Sequence, residues 1–252
     1  MLEIRVYPTQ FTSFNEGENH KLTWDQFCDI LSEPVVVSSK GQEPQFFPGR
    51  MLPEATSKGD KSVEKVFLYC IDADSIDETV FNDLIRTIEN EKVEAFMYST
   101  FSHAAQRKKN GLYRIRIVFP LSRPLSADEF RLFWSNCRLT FCNVADPTTS
   151  GPGKHYLFPS VPEGKKDLEI ISRRFKGEFL NVSKMMSRYG LHNLANAEVE
   201  TTAIGREPVS KEQFLAAIKN PRKKTDKPTL DALKKADRKS TRLNSSHRCS
   251  SY

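Results

Sequence analysis

Runs of apolar residues along the chain predict five β-strands, and a further short strand is expected after Lys154-His155. The two strongest runs, 66–71 and 113–121, are typical of buried strands. A proline has no N–H for a β-ladder, so Pro124 is expected to end the second of these. The predicted strands are 4–7, 35–37, 66–71, 94–98 and 113–121, while residues 44–59 are predicted to be irregular and 104–111 to form a polar loop.

Three capping boxes predict helix starts at Thr23, Ser75 and Ser126, because each is followed three residues later by Gln or Glu. Behind each box, apolar residues recur at helical spacing. They are Trp24, Phe27, Ile30 and Leu31, then Ile76, Val80, Leu84 and Ile88, then Phe130, Phe133, Trp134 and Cys137. Since strands and helices mix without regular alternation, the pattern predicts an α+β fold.

The density of apolar residues falls beyond residue 179, which predicts where the main domain ends. We expect residues 1–181 to form one domain and 182–236 a helical linker region, basic and mobile towards its end. Short helices are predicted at 183–193 and 210–219. Residues 237–252 show no amphipathic pattern and resemble a translated sequencing adapter. We therefore expect that segment to be a non-native, disordered tail, with the natural protein continuing past residue 236.

The formal net charge of +6 is concentrated at one end of the chain. From Arg222 onward ten Lys or Arg face three Asp, so that segment carries +7 and residues 1–221 sum to −1. Any nucleic-acid site in residues 1–221 must therefore depend on local placement of charge. No apolar stretch reaches the length of a membrane span, and the first residues lack a signal-peptide layout, so a cytoplasmic location is expected.

Asp72 and Asp74 directly follow the apolar run 66–71 and are the first candidates for chemistry. Residues two apart on a strand point to the same face, so the two carboxylates repel each other unless a cation lies between them. Mg²⁺ and Mn²⁺ prefer such oxygen ligands and bridge to phosphates. The alternative is a strand that runs into a helix cap, with Asp74 and Ser75 satisfying free backbone amides.

Further candidates follow on other predicted strands and loops. Ser102-His103 ends a strand, where a histidine can donate to a phosphate, orient a ligand or carry a proton, or be an ordinary surface residue. Arg114 and Arg116 share one strand face, and their guanidinium groups can bind phosphate oxygens there. The alternative is a half-exposed strand whose polar face only contacts water. Asp146 and Lys154 flank a turn-rich loop. Asp-Pro is a common turn start, which is the simpler interpretation of Asp146.

The order of these elements resembles the archaeo-eukaryotic primase (primase-polymerase) superfamily, and in particular the primase domains of phage and plasmid replication proteins. The matching motifs are a hydrophobic strand with Asp-x-Asp, a Ser-His element and a third carboxylate. The segments STFSH, RIRIVFPLSRPL, KHYLFPS and KGQEPQFFPGR also resemble that family, and the resemblance covers roughly residues 31–186. No zinc-binding cysteine module of the cellular primases is present, since the five cysteines form no Cys-x-x-Cys pair.

The resemblance implies a primase-polymerase catalytic domain with a mixed or antiparallel, RRM-like sheet flanked by helices. It implies DNA-directed nucleotidyl transfer that uses two Mg²⁺ or Mn²⁺ ions, a single-stranded DNA template and (deoxy)ribonucleoside triphosphates. A helicase domain or protein would be a further partner, since residues 1–252 contain no P-loop motif of their own. The implied catalytic residues are Asp72, Asp74, His103 and Asp146, the metal ligands Asp72, Asp74 and Asp146, and the nucleotide-binding residues Ser102, His103, Arg114, Arg116 and Lys154.

Other classes of protein share parts of this pattern. A non-catalytic DNA-binding replication initiator would need none of the carboxylates. A glycosyltransferase of the Asp-x-Asp type would hold Mn²⁺ on a nucleotide diphosphate, but it would not call for Ser-His followed by an Arg-x-Arg strand. A Toprim domain needs a Glu in a Gly-bearing turn, and a rolling-circle nickase needs His-x-His; neither occurs in the required place.

Overall fold

Eleven strands and four α-helices lie wholly within residues 1–104, 111–164 and 168–188, the part of the chain that the computed structural model describes. The strands are β1 (Leu2–Tyr7), β2 (Glu18–Leu22), β3 (Val35–Val37), β4 (Gln45–Phe47), β5 (Gly49–Met51), β6 (Val63–Ile76), β7 (Ala95–Ser99), β8 (Tyr113–Leu125), β9 (Tyr156–Leu157), β10 (Ser160–Pro162) and β11 (Ser172–Phe175). The helices are α1 (Trp24–Leu31), α2 (Glu78–Glu91), α3 (Ala127–Thr140) and α4 (Val182–Arg188).

Two antiparallel sheets organise these elements. The larger has the strand order β11-β7-β8-β6-β5, and the smaller has the order β2-β1-β4-β9. All ladders in both sheets are antiparallel, while β3 and β10 form a separate parallel pair. The predicted α+β class with an antiparallel sheet flanked by helices is therefore confirmed.

The central strands β6 and β8 are buried on both faces, which explains their nearly continuous apolar sequences. In β6, Tyr69 and Ile71 point into a core formed with α2, α3 and α4, whereas Leu68 and Cys70 point into a second core. The second core is formed with α1 and the smaller sheet. Because side chains alternate along a strand, the row that begins with Leu68 and Cys70 continues to Asp72 and Asp74.

Two strand predictions were wrong. The segment 44–59 contains β4 and β5, which are short but pair with β1 and β6 respectively. Strand β8 does not end before Pro124 but runs through Pro120 and Pro124 to Leu125. Strand β7 pairs only with the earlier part of β8, up to Val118. Both prolines therefore lie where β8 has one strand neighbour and a missing N–H is tolerated.

Two of the three predicted helix starts are confirmed. Thr23 and Ser126 form complete capping boxes with Gln26 and Glu129 at the starts of α1 and α3. The start predicted at Ser75 was wrong, because β6 continues to Ile76 and α2 begins after Asp77 instead.

Asp77 caps α2 by accepting a hydrogen bond from the Val80 N–H. Ser75 has a φ of 62°, and the β6–β8 register shifts between Asp74 and Ile76. A bulge thus replaces the expected cap at Ser75.

Helix α4 packs onto the first core, with Val182, Met185 and Met186 buried. The predicted domain boundaries at residues 181 and 236 remain predictions, because residues 189–252 lie outside the described ranges. The same holds for the predicted helix at 210–219, the tail at 237–252 and most of the polar loop at 104–111. No described helix is both long enough and apolar enough to cross a bilayer.

A buried carboxylate joins α1 to the edge of the larger sheet. Glu94 accepts hydrogen bonds from the Trp24 indole N–H at 2.9 Å, the Arg174 guanidinium at 2.6 Å and the Gly177 N–H at 3.1 Å. Burial by itself raises the pKa of Glu94, but these donors outweigh burial and leave the pKa below its ordinary value of 4.5. The ionised form therefore stabilises the fold.

Replacing this carboxylate with an amide should destabilise the domain. For Glu94→Gln we expect a loss of about 2 kcal/mol in the free energy of unfolding at pH 7, because charge-assisted hydrogen bonds become neutral ones. The contribution is fully present above the unfolded pKa and disappears as the pH falls through the lower folded pKa. The difference between wild type and variant in urea unfolding should therefore shrink below pH 4.5.

The exposed Glu89, which pairs with Arg173 at the surface, provides the control. Glu89→Gln should cost no more than about 0.5 kcal/mol. Equal losses of unfolding free energy in the two variants would show that the Glu94 carboxylate does not stabilise the contact between α1 and the larger sheet.

Candidate functional site

Each carboxylate of the Asp-x-Asp motif faces an arginine across the β6–β8 ladder. Asp72 lies opposite Arg116 and Asp74 lies opposite Arg114 in the antiparallel register. Arg116 Nη2 is 2.7 Å from Asp72 Oδ2, and Arg114 Nε is 2.9 Å from Asp74 Oδ1. The repulsion expected between two adjacent carboxylates is therefore already relieved by two guanidinium groups from the neighbouring strand.

Arg116 is held in a buried cage. Its Nη1 donates to the Leu157 carbonyl at 2.6 Å and to the Tyr98 hydroxyl at 3.4 Å, and its guanidinium lies 5.2 Å from the centre of the Tyr156 ring. Burial alone lowers the pKa of Arg116, but the Asp72 carboxylate and Tyr98 outweigh burial and hold the pKa above its ordinary value. Arg116 is thus a permanently charged, fixed partner of Asp72.

The second pair is much more open to solvent. The Asp74 side chain is 67% exposed and that of Arg114 15%, compared with 25% for Asp72 and 7% for Arg116. An ion pair with one exposed member contributes little to stability and can exchange partners at low cost. Asp74 is therefore the accessible carboxylate of the motif, and Asp72 is the anchored one.

One pocket gathers Asp72, Asp74, Ser102 and Arg116 from the predicted set. Its further lining residues are Lys40, Glu43, Thr100, Phe101, Leu157 and Phe158. The pocket lies where the apolar row of β6 becomes charged, and its lining mixes apolar residues with ionic ones. Such a mixture suits a small ligand that carries both an apolar part and charged groups.

Sequence reasoning did not identify Lys40 and Glu43. Glu43 is buried, and its carboxylate accepts hydrogen bonds from the Gly41 N–H and the Ser160 hydroxyl. Gly41 has a φ of +93°, a left-handed conformation that glycine adopts without strain. Glu43 thus holds the turn that carries Lys40 at the pocket. The nearest signal in the sequence was the family-like segment KGQEPQFFPGR, which includes both residues.

His103 does not line this pocket. Its ring is buried, its Nδ1 accepts a hydrogen bond from the Arg114 N–H at 3.2 Å, and it stacks against Tyr113. The Thr100 hydroxyl donates to the Arg114 carbonyl at 3.3 Å. Residues 100–103 therefore brace the backbone of Arg114 on both sides, and only Ser102, Thr100 and Phe101 of this segment reach the pocket.

Asp146 lies beside the motif but is turned to other partners. Its N–H donates to the Asp72 carbonyl at 2.9 Å, while its carboxylate accepts from the Thr148 N–H at 2.8 Å and caps a short 3-10 turn, Pro147–Thr149. Asp146 lines a neighbouring pocket together with Asp74 and Arg138. Asp74 thus borders both pockets. Lys154 lines neither of these two pockets.

The donor set fits a metal ion only with help from a substrate. Within the described ranges, no group of three or more His, Cys, Asp or Glu side chains is close enough together to hold a metal ion. Asp72 and Asp74 each pair one carboxylate oxygen with an arginine, and the other oxygen of each carboxylate could bind a metal ion. Mg²⁺ is commonly bound by one or two carboxylates plus substrate phosphates, and these two aspartates match that arrangement. They do not match an all-protein cage.

The fold and this site define an α+β domain with a charged pocket at the end of its central sheet ladder. The VapE N-terminal domain family matches residues 13–195, and the chain belongs to that family. The chain is also similar to the AEP domain (PP-N190) of the cyanophage S-2L primase-polymerase (PrimPol). The identity is 12%, with 74% of this chain and 87% of that chain covered and a TM-score of 0.43. No curated protein matches the chain. The match over residues 13–195 shows the family of the chain, and the structural similarity is a likeness alone.

The two arginines should differ strongly in their effect on stability. Arg116→Met removes the partner of a largely buried carboxylate and one of the two donors to the Leu157 carbonyl, so we expect a loss of about 3 kcal/mol in urea unfolding. Arg114→Met is the matched control on the same strand face. Because its partner Asp74 is exposed, that variant should lose about 1 kcal/mol or less. A similar loss in both variants would contradict the distinction between an anchored and an open pair.

Proposed function

We propose that this domain is a metal-dependent nucleotidyltransferase, a DNA primase-polymerase of a mobile-element replication protein. The observation that carries the proposal is the meeting of Asp72, Asp74, Ser102 and Lys40 at one pocket. Carboxylates that can hold a divalent ion there lie beside a hydroxyl and a cation that can contact phosphate. Membership in the VapE N-terminal domain family supports the proposal.

Each residue takes a role that its surroundings allow. Asp72 holds Mg²⁺ or Mn²⁺ through the oxygen not engaged by Arg116, and Asp74 holds it through its exposed carboxylate. Two ions are proposed, with Asp146 as the third ligand from the neighbouring pocket. When bound, such ions would supply activation of a 3′-hydroxyl group and neutralisation of charge on the triphosphate. Ser102 and Lys40 contact the nucleotide phosphates. His103 acts through Arg114, whose backbone it holds, and is proposed as a positioning residue.

The proposed reaction joins a 3′-oxygen to the α-phosphorus of an incoming nucleoside triphosphate, while the bond to the departing pyrophosphate breaks. The proposed substrates are (deoxy)ribonucleoside triphosphates and a single-stranded DNA template, with a helicase domain or protein as a further partner. Lys154 remains a candidate for contact with the template backbone, since it lines neither pocket. A cytoplasmic location is part of the same proposal.

A second candidate function is supported by the paired charges. Because both carboxylates already have guanidinium partners, the Asp-x-Asp motif could serve the fold alone. The domain would then be a non-catalytic DNA-binding module of a replication initiator. The two candidates differ in whether removing a carboxylate oxygen abolishes a reaction.

Loss of either strand carboxylate should abolish nucleotidyl transfer. Asp72→Asn and Asp74→Asn should each lower primer extension on a single-stranded template by at least about 100-fold in Mg²⁺ or Mn²⁺, because metal binding contributes several kcal/mol to transition-state stabilisation. Asp29→Asn, on the exposed side of α1, should leave the rate unchanged. A full-length wild type that binds single-stranded DNA but is inert with every nucleotide and metal would support the binding module.

Lys40 should contribute to nucleotide affinity. For Lys40→Ala we expect the Kd of a non-hydrolysable triphosphate analogue, measured by calorimetry with Mg²⁺, to rise about five- to tenfold, because a partly exposed charge pair contributes about 1 kcal/mol. Lys61→Ala removes an exposed lysine that lines neither pocket and should have no effect. Equal Kd values for Lys40→Ala and wild type would show that Lys40 does not contact the nucleotide.

A further inference from the structure

The pocket that holds the Asp-x-Asp motif is balanced in charge. Its three carboxylates, Asp72, Asp74 and Glu43, are matched by Arg116 and Lys40 in the lining and by Arg114 on the side chain of Asp74. The formal charges of these six side chains therefore cancel, so a divalent cation that binds there finds no excess of carboxylates among them. It must also displace a guanidinium from each carboxylate it uses fully, and guanidinium–carboxylate pairs are the stronger kind of hydrogen-bonded contact.

Only one of the two arginines can leave its carboxylate at low cost. Arg116 is tied to Leu157 and Tyr98 as well as to Asp72. Arg114 is held by its backbone, through His103 and Thr100, but among the described residues its guanidinium contacts one carboxylate, that of the exposed Asp74. Its Nη1 is buried without a hydrogen-bond partner among the described residues. The Arg114 guanidinium therefore has an unused donor nitrogen in addition to its contact with Asp74.

We propose that Arg114 makes metal binding depend on nucleotide. Without nucleotide, Arg114 occupies Asp74 and free divalent cations bind weakly. A metal–triphosphate complex satisfies both groups at once, because its cation replaces the guanidinium on Asp74 while its phosphate oxygens take over Arg114. Free cation satisfies Asp74 but leaves Arg114 without an anion. This inference rests on the proposed function and deepens it.

The consequence is a positive coupling between metal and nucleotide that removal of Arg114 should reduce. A planar guanidinium group binds phosphate oxygens as readily as it binds carboxylate oxygens. Arg114 therefore keeps the same number of contacts when phosphate replaces Asp74. A residue with a purely structural role would not show this pattern. Its loss would weaken the binding of free metal and of the metal–nucleotide complex together.

The test uses the full chain and two ligands, Mn²⁺ alone and the Mn²⁺ complex of a non-hydrolysable triphosphate analogue. Free Mn²⁺ is followed by electron paramagnetic resonance and the complex by calorimetry. For Arg114→Ala we expect the affinity for Mn²⁺ alone to rise about three- to tenfold, because one neighbouring positive charge is removed. The affinity for the complex should fall by a similar factor. These opposite signs are the signature of the proposed exchange.

Matched variants separate charge from other effects. Arg114→Lys keeps the positive charge, so its affinity for Mn²⁺ alone should be close to that of the wild type. Arg86→Ala removes an exposed arginine from α2 and should change neither affinity. If Arg114→Ala does not fold, as judged by its thermal unfolding, Arg114→Gln gives the same comparison with a longer polar side chain.

The outcomes distinguish this inference from the proposed function. If Arg114→Ala weakens both affinities, or leaves that for Mn²⁺ alone unchanged, Arg114 does not control metal entry and the inference is overturned while the proposed function stands. If wild type binds neither Mn²⁺ alone nor the complex, the nucleotidyltransferase proposal is overturned and the inference with it.

Discussion

The register between β6 and β8 is the constraint on which the site depends. It sets Asp72 opposite Arg116 and Asp74 opposite Arg114, and it directs all four side chains to one face. A slip of one residue would turn the charged side chains into the first core and expose Ile115 and its neighbours. The apolar residues on both faces of these strands therefore do more than stabilise the sheet, since they also determine which charges meet.

Two separate cores maintain that register. The first, against α2, α3 and α4, holds one row of β6 side chains, and the second, against α1 and the smaller sheet, holds the other. The pocket lies at the end of the second row, where Leu157 and Tyr98 surround Arg116. Because the smaller sheet supplies part of the cage, its packing against β6 and β8 fixes Asp72 as well as the core. The position of the Asp72 carboxylate thus depends on the same packing that stabilises the fold.

Local signals in the sequence predicted local structure well. The capping boxes at Thr23 and Ser126 depend on residues three apart, and both formed as predicted. The box at Ser75 failed because a long-range demand, the pairing of Ile76 with Tyr113, extended the strand past it. The Asp72–Arg116 pair and the role of Glu43 could not be predicted, since they join residues 44 and 117 positions apart in the chain. Sequence alternation gave the faces of the strands but not the partners across them.

The paired charges also explain why a carboxylate motif can be stable without any ion. Two adjacent aspartates would otherwise destabilise the end of β6, and the cost would grow with their burial. The buried pair, Asp72 with Arg116, removes that cost permanently, whereas the open pair, Asp74 with Arg114, removes it reversibly. Under the proposed function, an anchored carboxylate beside an exchangeable one gives a site that is ordered before a ligand arrives and can still accept one.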